Sequence, residues 1–387
     1  MQSRASALER RVHGTICAPM FAIWLSALLH LYVGWRIAPD LPNAVAGAAF
    51  ALVLVASAVL IPLGFFGRRS RNREIADRTT WAGMLALGLF STLLVLTLLR
   101  DLVLLAAWPL HLDALAGWSA IAVVAAGLAI VVIGFVNARR TARVREVEIA
   151  VPQLPPPLHG FTIAQISDIH VGPTIKRPYV QAIVDAVNAL SADAVAVTGD
   201  LVDGRVRDLA EHVAPLGALQ SRHGTYFVTG NHEYYSGADD WIAELRRLGV
   251  RVLNNEHVVL RHDGAALVLA GVTDTSAHHF DPSQRSDPSR AIAGAPINAG
   301  VRVLLAHQPR SAEAAAQAGF DVQLSGHTHG GQFWPWNHAV QWQQPYTAGL
   351  HRLRQLWVYT SRGTGYWGPP LRFGAPSEIT RLRFVAA

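Results

Sequence analysis

The chain of 387 residues has room for two or three units, and a composition of 51% hydrophobic against 16% charged residues points to a membrane part. The formal charge of +6 sits within the first 150 residues, which hold 14 arginines against 8 acidic residues; the remainder carries 19 of each sign, and that neutrality disfavours a nucleic-acid partner. The single cysteine, Cys17, excludes an internal disulfide framework and a cysteine-based zinc site.

Four apolar runs fill the first third of the chain, at about 15–35, 44–66, 81–99 and 115–136. Each is near the ~20 residues that cross a hydrocarbon core as a helix, so residues 1–140 are predicted to be a bundle of four transmembrane helices. Leu102 to Trp108, after Arg100-Asp101, either extends the third span or lies at the interface. His30 is read as packing against a neighbouring helix. Arg4, Arg10 and Arg11 precede the first span, Arg68, Arg69, Arg71, Arg73 and Arg78 join the second to the third, and Arg139, Arg140, Arg143 and Arg145 follow the fourth; the opposite loops hold only Arg36 and Arg100. The positive-inside rule then puts both ends of the bundle, and all that follows, on the cytoplasmic side of an inner membrane.

Residues 141–159, with Pro152, Pro155, Pro156 and Pro157, are expected to form a stiff extended linker. From 160 to 387 strand-like and helix-like runs alternate, which predicts an α/β layered domain. Strands are expected at 162–167, 194–198, 225–229, 252–260, 266–272, 301–306, 322–324, 356–360 and 379–385, with helices at 178–190, 209–220, 239–248 and 312–318.

The chemistry-bearing residues follow these strands. Asp168 and His170 come after the first, Asp200 after the second, Asn231 and His232 after the third; His307 follows a later strand, and Gly326-His327-Thr328-His329-Gly330-Gly331-Gln332 another. Ligands in α/β sheets bind beyond the carboxyl ends of strands, so these residues are expected to converge. Nitrogen donors beside carboxylates and an amide favour two divalent transition ions (manganese, iron or zinc) over calcium. Seven donors exceed one tetrahedral site, and a bridging carboxylate divides them into two sets of four, the arrangement of two-metal phosphoryl-transfer sites.

The series Asp168-x-His170, Gly199-Asp200, Gly230-Asn231-His232-Glu233, His307, Gly326-His327-Thr328-His329 resembles the calcineurin-like metallophosphoesterase superfamily, and with its membrane-anchored start looks like a bacterial branch of phosphodiesterases and pyrophosphatases. The resemblance covers roughly 160–387 and implies two stacked sheets flanked by helices. It implies one metal on Asp168, His170, Asp200 and His329, and a second on Asp200, Asn231, His307 and His327. His232 is implied as the catalytic, non-ligand histidine, oriented by Glu233, which stands where many members have Asp. The expected activity is hydrolysis of a phosphodiester, phosphomonoester or pyrophosphate by metal-activated water, on a small-molecule or lipid-linked substrate. A non-catalytic membrane receptor or scaffold and a soluble-nucleotide phosphodiesterase are the alternatives. Arg310, His278 and His279 are further candidates for substrate contact. Phe333, Trp334, Trp336, Trp342, Trp357 and Trp367 crowd the region after the histidine pair, either as core or as a surface on which an acyl chain rests.

Overall fold

The computed structural model describes residues 21–67, 70, 72–112 and 114–387. Cys17, the start of the first predicted span, and Arg4, Arg10, Arg11, Arg68, Arg69 and Arg71 lie outside them. The chain divides into two compact units, with the boundary between Ile133 and Gly134.

The first unit holds four helices long and apolar enough to cross a membrane: α1 Phe21–Asp40, α2 Ala44–Phe66, α3 Arg73–Ala107 and α4 Leu115–Arg139. Nearly uniform apolarity leaves them no polar face, as expected of helices solvated by lipid. Close packing of α2 on α3 uses Gly64 and Gly83, where a Cβ on either would meet the other's backbone. Residues 102–107 continue α3 rather than forming a separate interfacial piece. His30 is buried as expected: its ring stacks on Phe90 at 3.5 Å between centroids, and Nε2 lies 3.1 Å from Ser57 Oγ.

The second unit begins with the last turn of α4. Asn137 Nδ2 donates to the Arg372 carbonyl (3.2 Å), and the Arg372 amide donates to the Gly134 carbonyl (2.9 Å). The expected linker is corrected here, because Arg143–Val151 is a strand, β1, paired in parallel with the last strand, β12 Glu378–Ala386. Alternation in Val147, Ile149 and Val151 gives it an inward face; the prolines come only after it, where they end the strand.

Two six-stranded sheets follow. The first has the order β1-β12-β2-β3-β4-β5, with β2 Thr162–Ile166, β3 Ala194–Val197, β4 Thr225–Phe227 and β5 Arg251–Val252 mutually parallel. The second has the order β10-β11-β9-β8-β7-β6, with β7 Ala265–Gly271, β8 Val301–Leu305, β9 Val322–Ser325 and β11 Leu356–Thr360 parallel between the antiparallel edges β6 Glu256–His262 and β10 Gly349–Leu353. The expected strand 252–260 is two strands: the chain leaves the first sheet at Leu253, turns at Asn255 with φ 55°, and enters the second.

Period-two alternation sorts the side chains into layers. Ile163, Ala194, Ala196, Leu267, Leu269, Val303 and Leu324 fill the space between the sheets. Ala164, Ile166, Val195 and Val197 face outward against α5 Arg177–Asn188, α6 Val206–Val213 and α8 Ala238–Arg247. The outer face of the second sheet is covered by α9 Pro288–Ile292 and α10 Ala312–Gln317. The result is the predicted pair of stacked sheets flanked by helices.

Candidate metal centre

Strands β2, β3, β4 and β5 of the first sheet and β7, β8, β9 and β11 of the second send their carboxyl ends to one edge, and the predicted donors meet there. Three groups of donor atoms lie within ligating reach of one another: Asp168, His170 and His329; His170, Asp200 and His232; and Asp200, His307 and His327. His170 Nε2 is 3.0 Å from His329 Nε2, and His307 Nε2 is 3.1 Å from His327 Nδ1. Asp200 Oδ2 lies 3.2 Å from His307 Nε2 and 3.9 Å from His170 Nε2, which puts it between the two histidine pairs. Asp168 Oδ1 is 3.6 Å from His329 Nε2. Asn231 opens the short helix α7 Asn231–Ser236 and is buried, with an Oδ1 that has no hydrogen-bond partner. An orphaned buried acceptor costs roughly 1–3 kcal/mol. Together with imidazole nitrogens facing one another, it fits a donor set arranged for cations.

The backbone bears a cost at the same places. Asp168, His170, Asp200, His327 and His329 all have φ between 51° and 72°, and they are five of the twelve non-glycine residues with positive φ among those described. Such conformations cost of order 1–3 kcal/mol each and gather where surrounding structure enforces them for function. Motif glycines make the approach possible. A Cβ at Gly326 would run into the Asp168 carboxylate and the Ser167 hydroxyl, and one at Gly199 would stand 2.8 Å from His307 Nδ1.

Hydrogen bonds behind the cluster decide which nitrogens face it. His307 Nδ1 donates to the Thr198 carbonyl at 2.8 Å, which leaves Nε2 to the cluster. Asp203, absent from the predicted site, accepts from both His170 Nδ1 (3.1 Å) and His232 Nδ1 (2.6 Å). Burial opposes charge on Asp203, yet those two histidines hold its carboxyl well below the usual range. Burial likewise works against a charged His232, but Asp203 and Asp200 raise it to about 9. The only signal for Asp203 was its place three residues after Asp200.

Glu233 does not orient His232, contrary to expectation. Its carboxylate is buried and accepts from the amides of Gly230 (2.6 Å), Asp200 (3.0 Å) and Leu201 (2.8 Å). A carboxylate three residues into a helix turns back to the free amides of the first turn, and here it also ties down the Asp200 loop. Burial and Asp200 push it up to about 7.

Arg372 was likewise missed, and nothing in its sequence context marks it. Its guanidinium is fully buried, 3.0 Å from His329 Nδ1 and 2.8 Å from the His329 carbonyl. Burial, then the Arg372 charge, holds His329 well below its ordinary value, and burial with His307 lowers His327 to about 3. Arg310 is exposed, with Nη2 3.4 Å from the Gln343 carbonyl, and its charge contributes to the shift of His327. His278 and His279 are in none of the donor groups; His278 Nδ1 donates to the Thr275 carbonyl, and the two rings lie 3.9 Å apart. The aromatic stretch divides: Phe333 is buried, Trp334 and Trp357 are half-buried, and Trp336, Trp342 and Trp367 are exposed.

Residues 161–331 match the family model for the calcineurin-like phosphoesterase. A transmembrane protein with metallophosphoesterase domain from Bos taurus is 42% identical over 66% of this chain and 60% of its own length. An uncharacterised metallophosphoesterase of Helicobacter pylori is 36% identical over 65% of this chain and 66% of its own. Another, from Aquifex aeolicus, is 31% identical over 56% of this chain and 82% of its own. The chain thus spans about 60% of the bovine relative, while it covers most of the Aquifex protein. With its motif residues gathered at one sheet edge and these relatives beside it, the chain belongs to the calcineurin-like metallophosphoesterase family.

Proposed function

We propose that this protein is a multi-pass membrane hydrolase that cleaves a phosphodiester, phosphomonoester or pyrophosphate bond with two divalent metal ions. Asp168, His170, Asp200 and His329 would hold one ion, and Asp200, Asn231, His307 and His327 the other, with Asp200 shared. The bound pair supplies Lewis acidity at the phosphoryl oxygens and water of lowered pKa near neutrality. The observation that carries the reading is a histidine at the rim of the donor cluster with one nitrogen committed elsewhere. His232 Nδ1 is held by Asp203, its side chain is 18% exposed, and Nε2 lies 3.9 Å from Asp200 Oδ2. Such a group can hold a proton beside the leaving oxygen and release it as the bond breaks. Arg310, whose charge acts on His327, is the proposed contact for substrate charge. The preferred substrate is an amphipathic, lipid-linked phosphoester, because four apolar helices would keep the enzyme at the bilayer.

Metal analysis and a hydrolysis screen of the purified full-length chain, before and after chelation, test this. Two ions per chain and metal-dependent turnover are expected. Asp200→Asn should deplete both ions. His232→Ala should keep them while slowing turnover by roughly 10²–10⁴. A protein that binds two ions and turns over no phosphoester would be the receptor or scaffold instead.

A further inference from the structure

After α4, the second unit leaves few large apolar side chains in solvent: Val144, Tyr235, Phe280, Ile297, Trp336, Trp342 and Trp367. Three of these seven stand around His232. The Tyr235 ring is 5.4 Å from the His232 ring and the Trp367 ring 5.8 Å, both edge-on, while Phe280 lies 5.7 Å from Tyr235. They remain 63%, 47% and 52% exposed. They come from three separate segments, and each is held. Tyr235 rides on α7 one turn after His232. Phe280 packs on Tyr234, whose hydroxyl bonds Gln284 at 2.9 Å. Gln332, the last residue of the histidine motif, accepts from the Trp367 amide (2.8 Å) and donates to the Trp367 carbonyl (2.8 Å). Rings held in place while exposed are what a preorganised apolar subsite needs.

We infer that Tyr235, Phe280 and Trp367 form the leaving-group subsite, and that the leaving group carries an alkyl or acyl chain. The inference rests on the hydrolase reading with His232 as acid. In that reaction a water oxygen bonds to phosphorus, the bond from phosphorus to the leaving oxygen breaks, and His232 passes its proton to that oxygen; the proton lost by water goes to solvent. Whatever the leaving oxygen carries must therefore lie against the groups that flank His232. The exposed groups among these are the three aromatic rings; the charged neighbours Asp203 and Asp200 are only 10% and 3% exposed. The Tyr235 and Trp367 planes stand at 72° and 75° to the His232 ring, and the Phe280 plane at 60° to Tyr235, so these neighbours meet edge to face. A flexible chain fits such splayed edges and faces.

The test uses metal-loaded full-length protein in a fixed detergent and a series of monoalkyl phosphates from ethyl to octyl. In the wild type, kcat/KM is expected to rise about two- to fourfold per methylene, the range between half and full burial of each CH₂. In Tyr235→Ala/Trp367→Ala that rise should flatten to less than about 1.5-fold per methylene. Calorimetric binding of ethyl- and octylphosphonate reads the same subsite without turnover, and tighter octylphosphonate binding should be lost in the double variant. Equal wild-type values along both series, an unchanged slope in the double variant, or a nucleoside monophosphate preferred over octyl phosphate would overturn the inference. Chain-dependent phosphonate binding without hydrolysis would leave the subsite standing and sink the hydrolase reading.

Discussion

At the scale of single residues, the candidate centre is held in place as much by what stands behind the donors as by the donors themselves. Asp203 is shared between a proposed ligand, His170, and the proposed acid, His232. Asp203→Asn keeps the shape but removes the charge and leaves one acceptor oxygen for two ring N–H groups. Outer partners of metal-bound histidines typically matter by 10–100-fold. The variant is therefore expected to lose turnover by about that factor and to bind one ion more weakly, measured by kcat and by metal titration; unchanged values for both would show that Asp203 serves packing alone. Arg372 makes a second case. It donates to the carbonyls of His329, Arg362 and Gly365 and ends beside His329 Nδ1, with no carboxylate bonded to it. Arg372→Met would leave several buried acceptors unpaired, each costing roughly 1–3 kcal/mol. A marked drop in melting temperature is expected, and a drop of less than a few degrees would contradict this account.

At the scale of elements, the edge of the sheets opposite the metal centre carries a histidine pair with its own pH signature. His223, just before β4, places Nε2 3.1 Å from Nδ1 of His262 at the end of β6, and Phe161 packs against both rings. This contact joins the first sheet to the second. Burial, then His262 and Arg222, lowers the pKa of His223 from 6.5, while Asp193 and Asp263 pull it up less strongly. A folded value below the unfolded one means that folding favours the neutral ring. Its contribution is whole above about pH 6.5 and fades as pH falls below it. Wild type should lose more melting temperature between pH 7.5 and 5.5 than His223→Gln, whose side chain does not titrate; equal losses would remove the pair from the account. The sequence showed the elements with a strong period and missed those without one. The stripe Tyr179, Val180, Ile183, Val184 and Val187 announces α5, and the alternating or wholly apolar runs announce β2, β3, β7 and β8. Strand β1 was hidden because its outward residues are charged and prolines follow it. The break at Leu253–Asn255 was hidden because the apolar run continues through the crossing between sheets. In the site, seven candidate donors were legible because each motif follows a strand, and Asp200, Asn231 and His327 each directly follow a glycine. Asp203 and Arg372 act across the fold, and Glu233 was misread because backbone capping outweighed a side-chain partner. Those choices depend on tertiary contacts that spacing does not encode.

At the scale of the whole molecule, the charge pattern of the first unit bears on the side of the membrane that the second unit faces. The sequence left Arg36 and Arg100 as the only basic residues on the side opposite the arginine-rich loops. Both are paired. Arg36 bonds Asp101 through Nε and Nη2 at 2.8–2.9 Å, with Tyr32 adding its hydroxyl to the same carboxylate at 2.6 Å. Arg100 is buried, bonds Asp40, and donates to the Arg36 carbonyl (2.7 Å), the Ala116 carbonyl (3.0 Å) and Ser119 Oγ (2.9 Å). One side chain thus gathers the ends of α1, α3 and α4. Two arginines against three aspartates, Asp40, Asp101 and Asp113, leave this side formally negative, and burial of the Arg100 charge is tolerated because it has a partner in Asp40. The arginines that do set topology are then those at the N-terminus, between α2 and α3, and after α4, all on one side. An even number of spans would carry the second unit back to that side. A reporter fused after Ala387 is expected to behave as cytoplasmic, and one inserted between Asp40 and Asn43 as extracytoplasmic. The reverse pattern would mean that the large second unit overrides the arginine bias, and it would place that unit, with the proposed lipid-linked substrate, on the opposite leaflet.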